Sequence, residues 1–568
     1  MAGHRSPMTA TRALLSAVAL SAFANMSAAT AAVAEHGMVA TVQPLATRAG
    51  VEAMRRGGNA IDAAVAAGLM LGVVDGHNSG IGGGGFMLIR LADGRFIAID
   101  GRETAPKAAT HDMYIRAGKA DTSLSQTGAL ASATPGALAA YEYAVRNFGK
   151  RPLKEHLGAA ADVAEKGFAI DSKYAGKIAS AAKDLARFPA SSAIFLKADG
   201  SPLKEGETLK QPDLARSYRA IGEEGIRWFY EGACAEAAAR WMQENGGILT
   251  AADLRDYRIE LREPILTTYR GYRIASFPPP SSGGVHVAQL LNMIETRDVK
   301  AMGAGSADFV HFTTEAMKLA FADRAFWLGD PAFAKVPRGL VSKEYAKTLA
   351  AKIQMDRATV VEGNGTPERA HDDVFGKHTT HFSAVDAEGN WVACTATVNT
   401  GFGSKVVIPG TGIVLNNQMD DFSAQPGVAN HFGLIGAEAN AVAPGKRPLS
   451  SMSPTIVLKG DEPIMAVGAA GGPTIISQTL LAIVNVLDFG MEIPAALQAA
   501  RFHHQWSPDE LKIERTVGDG VLKELGKRGQ KLSPGSPFGA CNAVGRSADG
   551  KTFVGANDPR VPGLAAGL

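Results

Sequence analysis

The sequence predicts an α+β protein, and three observations carry that class. Residues 125–350 read as mainly helical. The segment beyond residue 380 breaks into short apolar runs separated by Gly and Pro. Helices and strands that segregate in this way argue against repeated βαβ units. The third observation is a hairpin. Apolar and polar residues alternate from Thr380 to Asp386 and again from Trp391 to Asn399, with Ala387-Glu388-Gly389 between them. A three-residue loop with Gly389 in the left-handed position pairs Asp386 with Asn390 and sets Thr379 opposite Thr397. Phe382, Ala384, Val392, Cys394, Ala396 and Val398 then share a core face. Thr379, His381, Ser383, Thr395, Thr397 and Asn399 share the other.

The chain opens as an export signal. His4, Arg5 and Arg12 flank the apolar stretch Ala13 to Ala24, and small residues follow to Ala34. Ala29-Thr30-Ala31 suits a cleavage site, so residues 1–31 are expected to be a signal peptide and the protein periplasmic or secreted. The apolar stretch is too short to span a bilayer, and no later segment reads as a membrane span. Helices are expected at 46–56 and 60–73, the first ended by Gly57-Gly58 and the second capped by Asn59. The run Gly80-Ile81-Gly82-Gly83-Gly84-Gly85 precedes a strand pair, 86–90 and 95–100, turning at Asp93-Gly94. It lacks the Gly-Lys-Ser/Thr of a phosphate loop and leads into a strand, which excludes nucleotide binding of that kind. Pro278 to Gly284 reads as a rigid, then flexible loop. Residues 355–377 turn polar and read as an exposed, mobile segment ahead of Thr379.

Composition narrows the function. With 58 basic and 56 acidic side chains the formal charge is +2, so nothing marks a nucleic-acid partner. Cys234, Cys394 and Cys541 are an odd number, so at least one thiol is free. No Cys or His pair has metal-ligand spacing, so no metal is expected.

Thr379 is the candidate nucleophile. A threonine hydroxyl needs a base. If the chain is cut before Thr379, the freed α-amine titrates near neutrality and can serve its own hydroxyl. Thr397, opposite in the hairpin register, would orient that hydroxyl.

Three motifs stand in order, the first of them built on Thr379. They are Thr379-Thr380-His381-Phe382-Ser383, Leu415-Asn416-Asn417-Gln418-Met419-Asp420-Asp421-Phe422 and Pro448-Leu449-Ser450-Ser451-Met452-Ser453-Pro454-Thr455. With Gly57-Gly58-Asn59-Ala60, Arg102-Glu103, the Pro278–Gly284 loop and Arg501-Phe502-His503-His504-Gln505, the chain strongly resembles the γ-glutamyltranspeptidase family over nearly all its length after the signal. The resemblance implies a four-layer αββα N-terminal nucleophile hydrolase sandwich with two stacked, mainly antiparallel sheets. It implies a precursor that cuts itself between His378 and Thr379. A large chain, 32–378, and a small catalytic chain, 379–568, would stay together as a heterodimer.

By the same resemblance, Arg102, Ser450 and Ser451 would hold the α-carboxylate of a γ-glutamyl group. Asn399, Gln418 and Asp421 would hold its α-ammonium. The amides of Gly471 and Gly472 would form the oxyanion hole. A guanidinium with two hydroxyls suits a carboxylate, and glycine lets a backbone approach closely. Taken singly, Arg102 also fits a structural ion pair, Ser450-Ser451 a turn and Gly471-Gly472 a tight bend. His381, His503 and His504 read as structural, because the α-amine does the acid-base work.

The implied enzyme is a γ-glutamyltransferase and glutathione hydrolase. It would pass the γ-glutamyl group of glutathione or related compounds through a Thr379 ester to water, amino acids or peptides, with no cofactor. Two departures stand out. Phe432 occupies the lid position where bacterial members often carry tyrosine, which predicts a less firmly latched lid over Pro426–Ala437. Ala469-Ala470 and Pro473 flank the glycine pair where Ser-Pro and Ser are frequent. The alternatives are a related amidase, such as a glutaryl-type β-lactam acylase or an oxamate hydrolase, and an unprocessed periplasmic binding protein.

Overall fold

Period-two alternation and glycine-punctuated turns give strands that stack as two seven-stranded sheets in a computed structural model. It describes residues 31–371, 374–375 and 382–568. The strands are β1 (Ala31–Ala34), β2 (Gly37–Thr41), β3 (Gly84–Arg90), β4 (Phe96–Gly101), β5 (Glu260–Leu261), β6 (Ile265–Tyr269) and β7 (Tyr272–Ser276). They continue as β8 (Phe382–Asp386), β9 (Trp391–Thr397), β10 (Thr455–Lys459), β11 (Glu462–Ala470), β12 (Ala540–Arg546), β13 (Phe553–Ala556) and β14 (Leu564–Gly567). One sheet runs β14-β2-β8-β9-β3-β4-β5 and the other β1-β13-β12-β11-β10-β7-β6. Neighbours within both sheets are antiparallel.

The hairpin keeps the register read from the sequence. Phe382 faces Cys394, Ala384 faces Val392 and Val385 faces Trp391. The loop closes through Gly389 at φ +96°. Among the described residues of the hairpin Ala384, Val385, Trp391, Val392 and Ala393 are buried, and Ser383, Thr395 and Thr397 are half-buried rather than fully solvated. Ala384 and Val392 pack under helices, while Val385, Trp391 and Ala393 enter the core between the sheets. Hydroxyls crowd only the far end of the second face, at Ser383, Thr395 and Thr397.

Helices cover both outer faces. α1 (Pro44–Arg55) and α2 (Ala60–Val74) have the expected caps. Gly57 turns at φ +89°, and Asn59 forms a capping box with Asp62. α2 is buried almost throughout because Ala and Gly let neighbours approach. With α3 (Ala137–Phe148) it packs on Val39, Met87, Ile89, Ala384 and Val392. The middle layer sets Met38, Leu88 and Trp391 against Ile456, Leu458 and Val544. On the far side Val457, Met465 and Val467 meet α4 (Gly283–Ile294), α5 (Ala307–Trp327) and α6 (Thr474–Leu487). The architecture is therefore the four-layer αββα sandwich.

Two local expectations change, and a third segment gains a role. Gly283 and Gly284 are not a flexible loop but the buried first turn of α4. A Cβ there would meet Met452 O at 2.2 Å and Phe277 O at 2.1 Å. The polar segment is exposed in part but tied down over residues 358–365. Glu315 and Asp323 accept from the Thr359 and Gly365 amides, and Trp506 and Trp327 donate to Val361 O and Gly365 O. The glycine run serves close packing: a Cβ on Gly82 or Gly83 would stand 2.0 Å from Val414 O or Thr397 O.

Residues 1–30 of the expected signal lie outside the described residues. Ala31, its expected last residue, pairs with Ala556, and Ala32–Ala34 continue that strand. Among the described residues no helix is long and apolar enough to cross a membrane.

Candidate active site

The ends of β4, β9 and β11 and the approach to β10 converge at one edge of the sandwich, and the sequence motifs sit on those ends. Thr397 closes β9, held beside Gly84 of β3. Its Oγ1 accepts from the Asn399 amide at 2.7 Å, so its own proton is free to be donated. Asn399 turns at φ +79°, and its Nδ2 donates to Asn417 O at 3.0 Å. Thr379 and His378 lie outside the described residues, as does His381. β8 starts at Phe382, three residues beyond Thr379.

Arg102 follows β4 and is fully buried. Its Nε donates to Pro448 O at 3.0 Å and its Nη2 to Leu449 O at 3.3 Å. The same Nη2 forms a 2.5 Å ion pair with Asp421, and Nη1 lies 3.5 Å from Glu103. Gln418 Nε2 also donates to Asp421 Oδ2, at 3.0 Å. The structure thus brings Arg102, Gln418 and Asp421 together, and it pairs two groups expected at opposite ends of the ligand with each other. Burial pushes the Glu103 carboxyl up to about 8, against the pull of Arg102. Glu103 is therefore largely neutral at neutral pH.

Ser450 and Ser451 sit below β10, against the start of α4. Ser282 donates through both its amide and its hydroxyl to Ser450 O, each at 2.7 Å. Ser450 Oγ accepts from the Met452 amide at 3.1 Å. Ser451 Oγ accepts from Arg324 of α5 at 3.2 Å, and Arg324 Nε donates to Ser282 Oγ at 3.0 Å. Sequence reasoning missed Arg324. Its signal was the charged pair Asp323-Arg324 inside the apolar surroundings of Phe321, Ala322 and Ala325 to Trp327.

Gly471 and Gly472 turn between β11 and α6 at φ +139° and +60°. Thr474 Oγ1 donates to Gly471 O at 2.8 Å, which fixes that peptide. Among the described residues neither glycine amide has an acceptor. Amides held open beside a helix N-terminus suit a developing oxyanion. A Cβ on Gly472 would meet the Phe432 ring at 2.7 Å, so Phe432 lies directly against the glycine turn. The segment expected to form a lid is held through its backbone, since Gln505 Nε2 donates to Phe432 O at 3.1 Å and the His431 amide to Asp420 Oδ2 at 3.0 Å. A cavity of about 360 Å³ opens beside this turn, lined by Thr41, Ser79, Ser383, Thr395, Gly471 and Asn542 among others. It reaches the cluster at Gly471 and does not include Arg102 or Asp421.

His503 and His504 are buried and do not line that cavity. His503 bonds Ser477 and Gln505, and burial lowers it to about 4. The three cysteines are free, and burial raises Cys234 and Cys541 to about 12. Among the described residues no cluster of His, Cys, Asp or Glu could hold a metal ion.

Comparison with known proteins fits this geometry. The Gamma-glutamyltranspeptidase family profile matches residues 46–568. The chain is 45% identical over 542 residues to a glutathione hydrolase proenzyme of Escherichia coli (strain K12), covering 94% of this chain and 92% of that one. It is 41% identical over 548 residues to an Acylase ACY 1 proenzyme of Pseudomonas sp. (strain V22), covering 94% of each. A crystal structure of cephalosporin acylase from Bacillus halodurans superimposes with a TM-score of 0.84 at 28% identity, over 95% of this chain and 97% of that one. The chain therefore belongs to the γ-glutamyltranspeptidase family and is an enzyme built on the N-terminal nucleophile hydrolase fold.

Proposed function

We propose that the protein is an exported γ-glutamyltransferase and glutathione hydrolase whose precursor cuts itself between His378 and Thr379. The observation that carries this reading is the convergence of Thr397, Arg102, Asp421, Ser450-Ser451 and two glycine amides without an acceptor among the described residues at one edge of the sandwich. The β8–β9 register, continued by three residues, would set Thr379 opposite Thr397. In the precursor the Thr379 hydroxyl attacks the His378 carbonyl, the C–N bond breaks to leave an ester and a free Thr379 α-amine, and water then hydrolyses the ester to a His378 carboxylate and the free hydroxyl. That amine then takes the hydroxyl proton as Thr379 attacks the donor's γ-carbonyl. The negative oxygen forms at the amides of Gly471 and Gly472. The leaving amine takes a proton and departs, leaving a γ-glutamyl ester on Thr379. Water then gives glutamate, and an amino acid or peptide amine gives a new γ-glutamyl product. The small and large chains remain one heterodimeric unit.

A second reading, an acylase for glutaryl amides, gains support from one observation. Without ligand, Asp421 is not an unpaired carboxylate, because Arg102 already neutralises it. A donor lacking the α-ammonium would therefore not strand a buried charge, which removes the desolvation argument against it. The two readings separate in one assay. We expect γ-glutamyl anilide to be turned over far faster than glutaryl anilide, with a dipeptide acceptor raising the rate. The reverse preference would make the protein an acylase. On a denaturing gel the purified protein should run as two fragments meeting at His378/Thr379, and Thr379→Ala should run as one. A single band from the unsubstituted protein would point to a non-catalytic binder.

A further inference from the structure

We propose that Arg324 is a specificity-determining residue of the donor site, acting on the substrate carboxylate through Ser451 and through its own charge. The inference rests on the γ-glutamyl reading above and deepens it. Arg102 is committed: its guanidinium serves two carbonyls, Asp421 and Glu103. Arg324 is not. It is 5% exposed, yet its hydrogen bonds among the described residues go only to the neutral hydroxyls of Ser282 and Ser451. No carboxylate among the described residues lies within ion-pair distance of it. The charge of Asp421 favours the Arg324 cation from a distance, but Asp421 is already paired with Arg102, and a buried guanidinium without a direct ionic partner is costly unless a ligand supplies the anion.

The proton count at the serines points the same way. A guanidinium can only donate, so Ser451 Oγ must accept from Arg324 and turn its own proton elsewhere. Ser450 Oγ accepts from the Met452 amide and is likewise left with a proton to give. Among the described residues neither hydroxyl has an acceptor. Arg324 thus makes Ser451 a donor, and two serine protons and a cation are offered to one anion. A planar carboxylate, with two oxygens and room for several donors, satisfies that set. Ser282 holds the arrangement together, since it accepts from Arg324 and donates to Ser450 O.

The test compares three anilides: γ-glutamyl, glutaryl, and 4-aminobutyryl, which keeps the ammonium and lacks the carboxylate. Arg324→Gln should raise KM for γ-glutamyl anilide tenfold or more with a much smaller change in kcat. Glutaryl anilide should suffer equally. For 4-aminobutyryl anilide kcat/KM should stay within about twofold, so discrimination between it and the γ-glutamyl donor collapses. Arg324→Lys should restore part of that discrimination. If Arg324→Gln does not accumulate as two fragments, Ser282→Ala carries the same test, with a several-fold rise in KM confined to the two carboxylate donors. Equal loss on all three anilides, or unchanged discrimination, would overturn the proposal. An unsubstituted enzyme inactive on γ-glutamyl anilide would instead overturn the functional reading on which it rests.

Discussion

Asp421 gathers two of the polar contacts of the candidate site in one side chain. It faces Arg102 at 2.5 Å and Gln418 at 3.0 Å. A bound α-ammonium would join an existing ion pair rather than complete an empty one. Hydrogen bonds to charged groups are worth about 1.5–3 kcal/mol. Asp421→Asn should therefore lower kcat/KM on γ-glutamyl anilide by roughly 10- to 150-fold. Unchanged kinetics would remove Asp421 from the site. Glu103 makes a pH prediction. Its carboxyl lies near 8 in the fold against an ordinary value of 4.5, because burial disfavours the anion. Between those values the unfolded chain has already lost the proton that the folded chain keeps. Stability from this group is thus present below about 4.5 and lost as pH rises toward 8. Glu103→Gln should gain thermal midpoint relative to the parent protein between pH 5 and pH 8. A constant difference across that range would show that Glu103 ionises normally.

The lid and the glycine turns show how elements constrain one another. Phe432 lacks the phenol expected to latch the lid, and its ring instead presses on Gly472 while Gln505 holds its carbonyl. Gln505→Ala should loosen the lid and change the ratio of hydrolysis to transfer more than Phe432→Tyr does. A lid governed by the missing phenol would show the opposite order. Gly83→Ala forces a Cβ to within 2.0 Å of Thr397 O. It should destabilise by at least about 1–3 kcal/mol, since overpacking shifts backbone here rather than a flexible side chain. Denaturant unfolding measures this directly, and an unchanged midpoint would refute the close-packing role. The hairpin, both N-terminal helices and their caps were legible because each rests on local pattern: period two, Asn59 and Asp62, Gly57. The buried turn at Gly283-Gly284 and the pinning of residues 358–365 were not. Both arise from partners far along the chain, such as Met452, Asp323 and Trp506.

The proposed cut divides a molecule whose two parts share both sheets. In one sheet β8 and β9 lie between β2 and β3, and in the other β7 and β6 extend β10. The fragments 32–378 and 379–568 could separate only by breaking strand pairs and opening the core between the sheets. After processing they should elute together on size exclusion in buffer and part only in denaturant. Fragments that separate in buffer would contradict this arrangement. The comparisons agree with a whole-length relationship, since the matched relative covers 94% of this chain.

The amino-acid sequence by itself determined the class, the hairpin register and the family, because alternation, caps and long ordered motifs are local and directional. It also singled out residues that fall at strand ends, Arg102 after β4, Thr397 at the end of β9 and Gly471-Gly472 after β11. Only the tertiary structure decided which charges are spent and which remain free. Arg102 proved to be paired with Asp421, whereas Arg324, buried in α5, carries no ionic partner among the described residues. Pairing of that kind depends on distances between segments more than a hundred residues apart, and no local pattern encodes them.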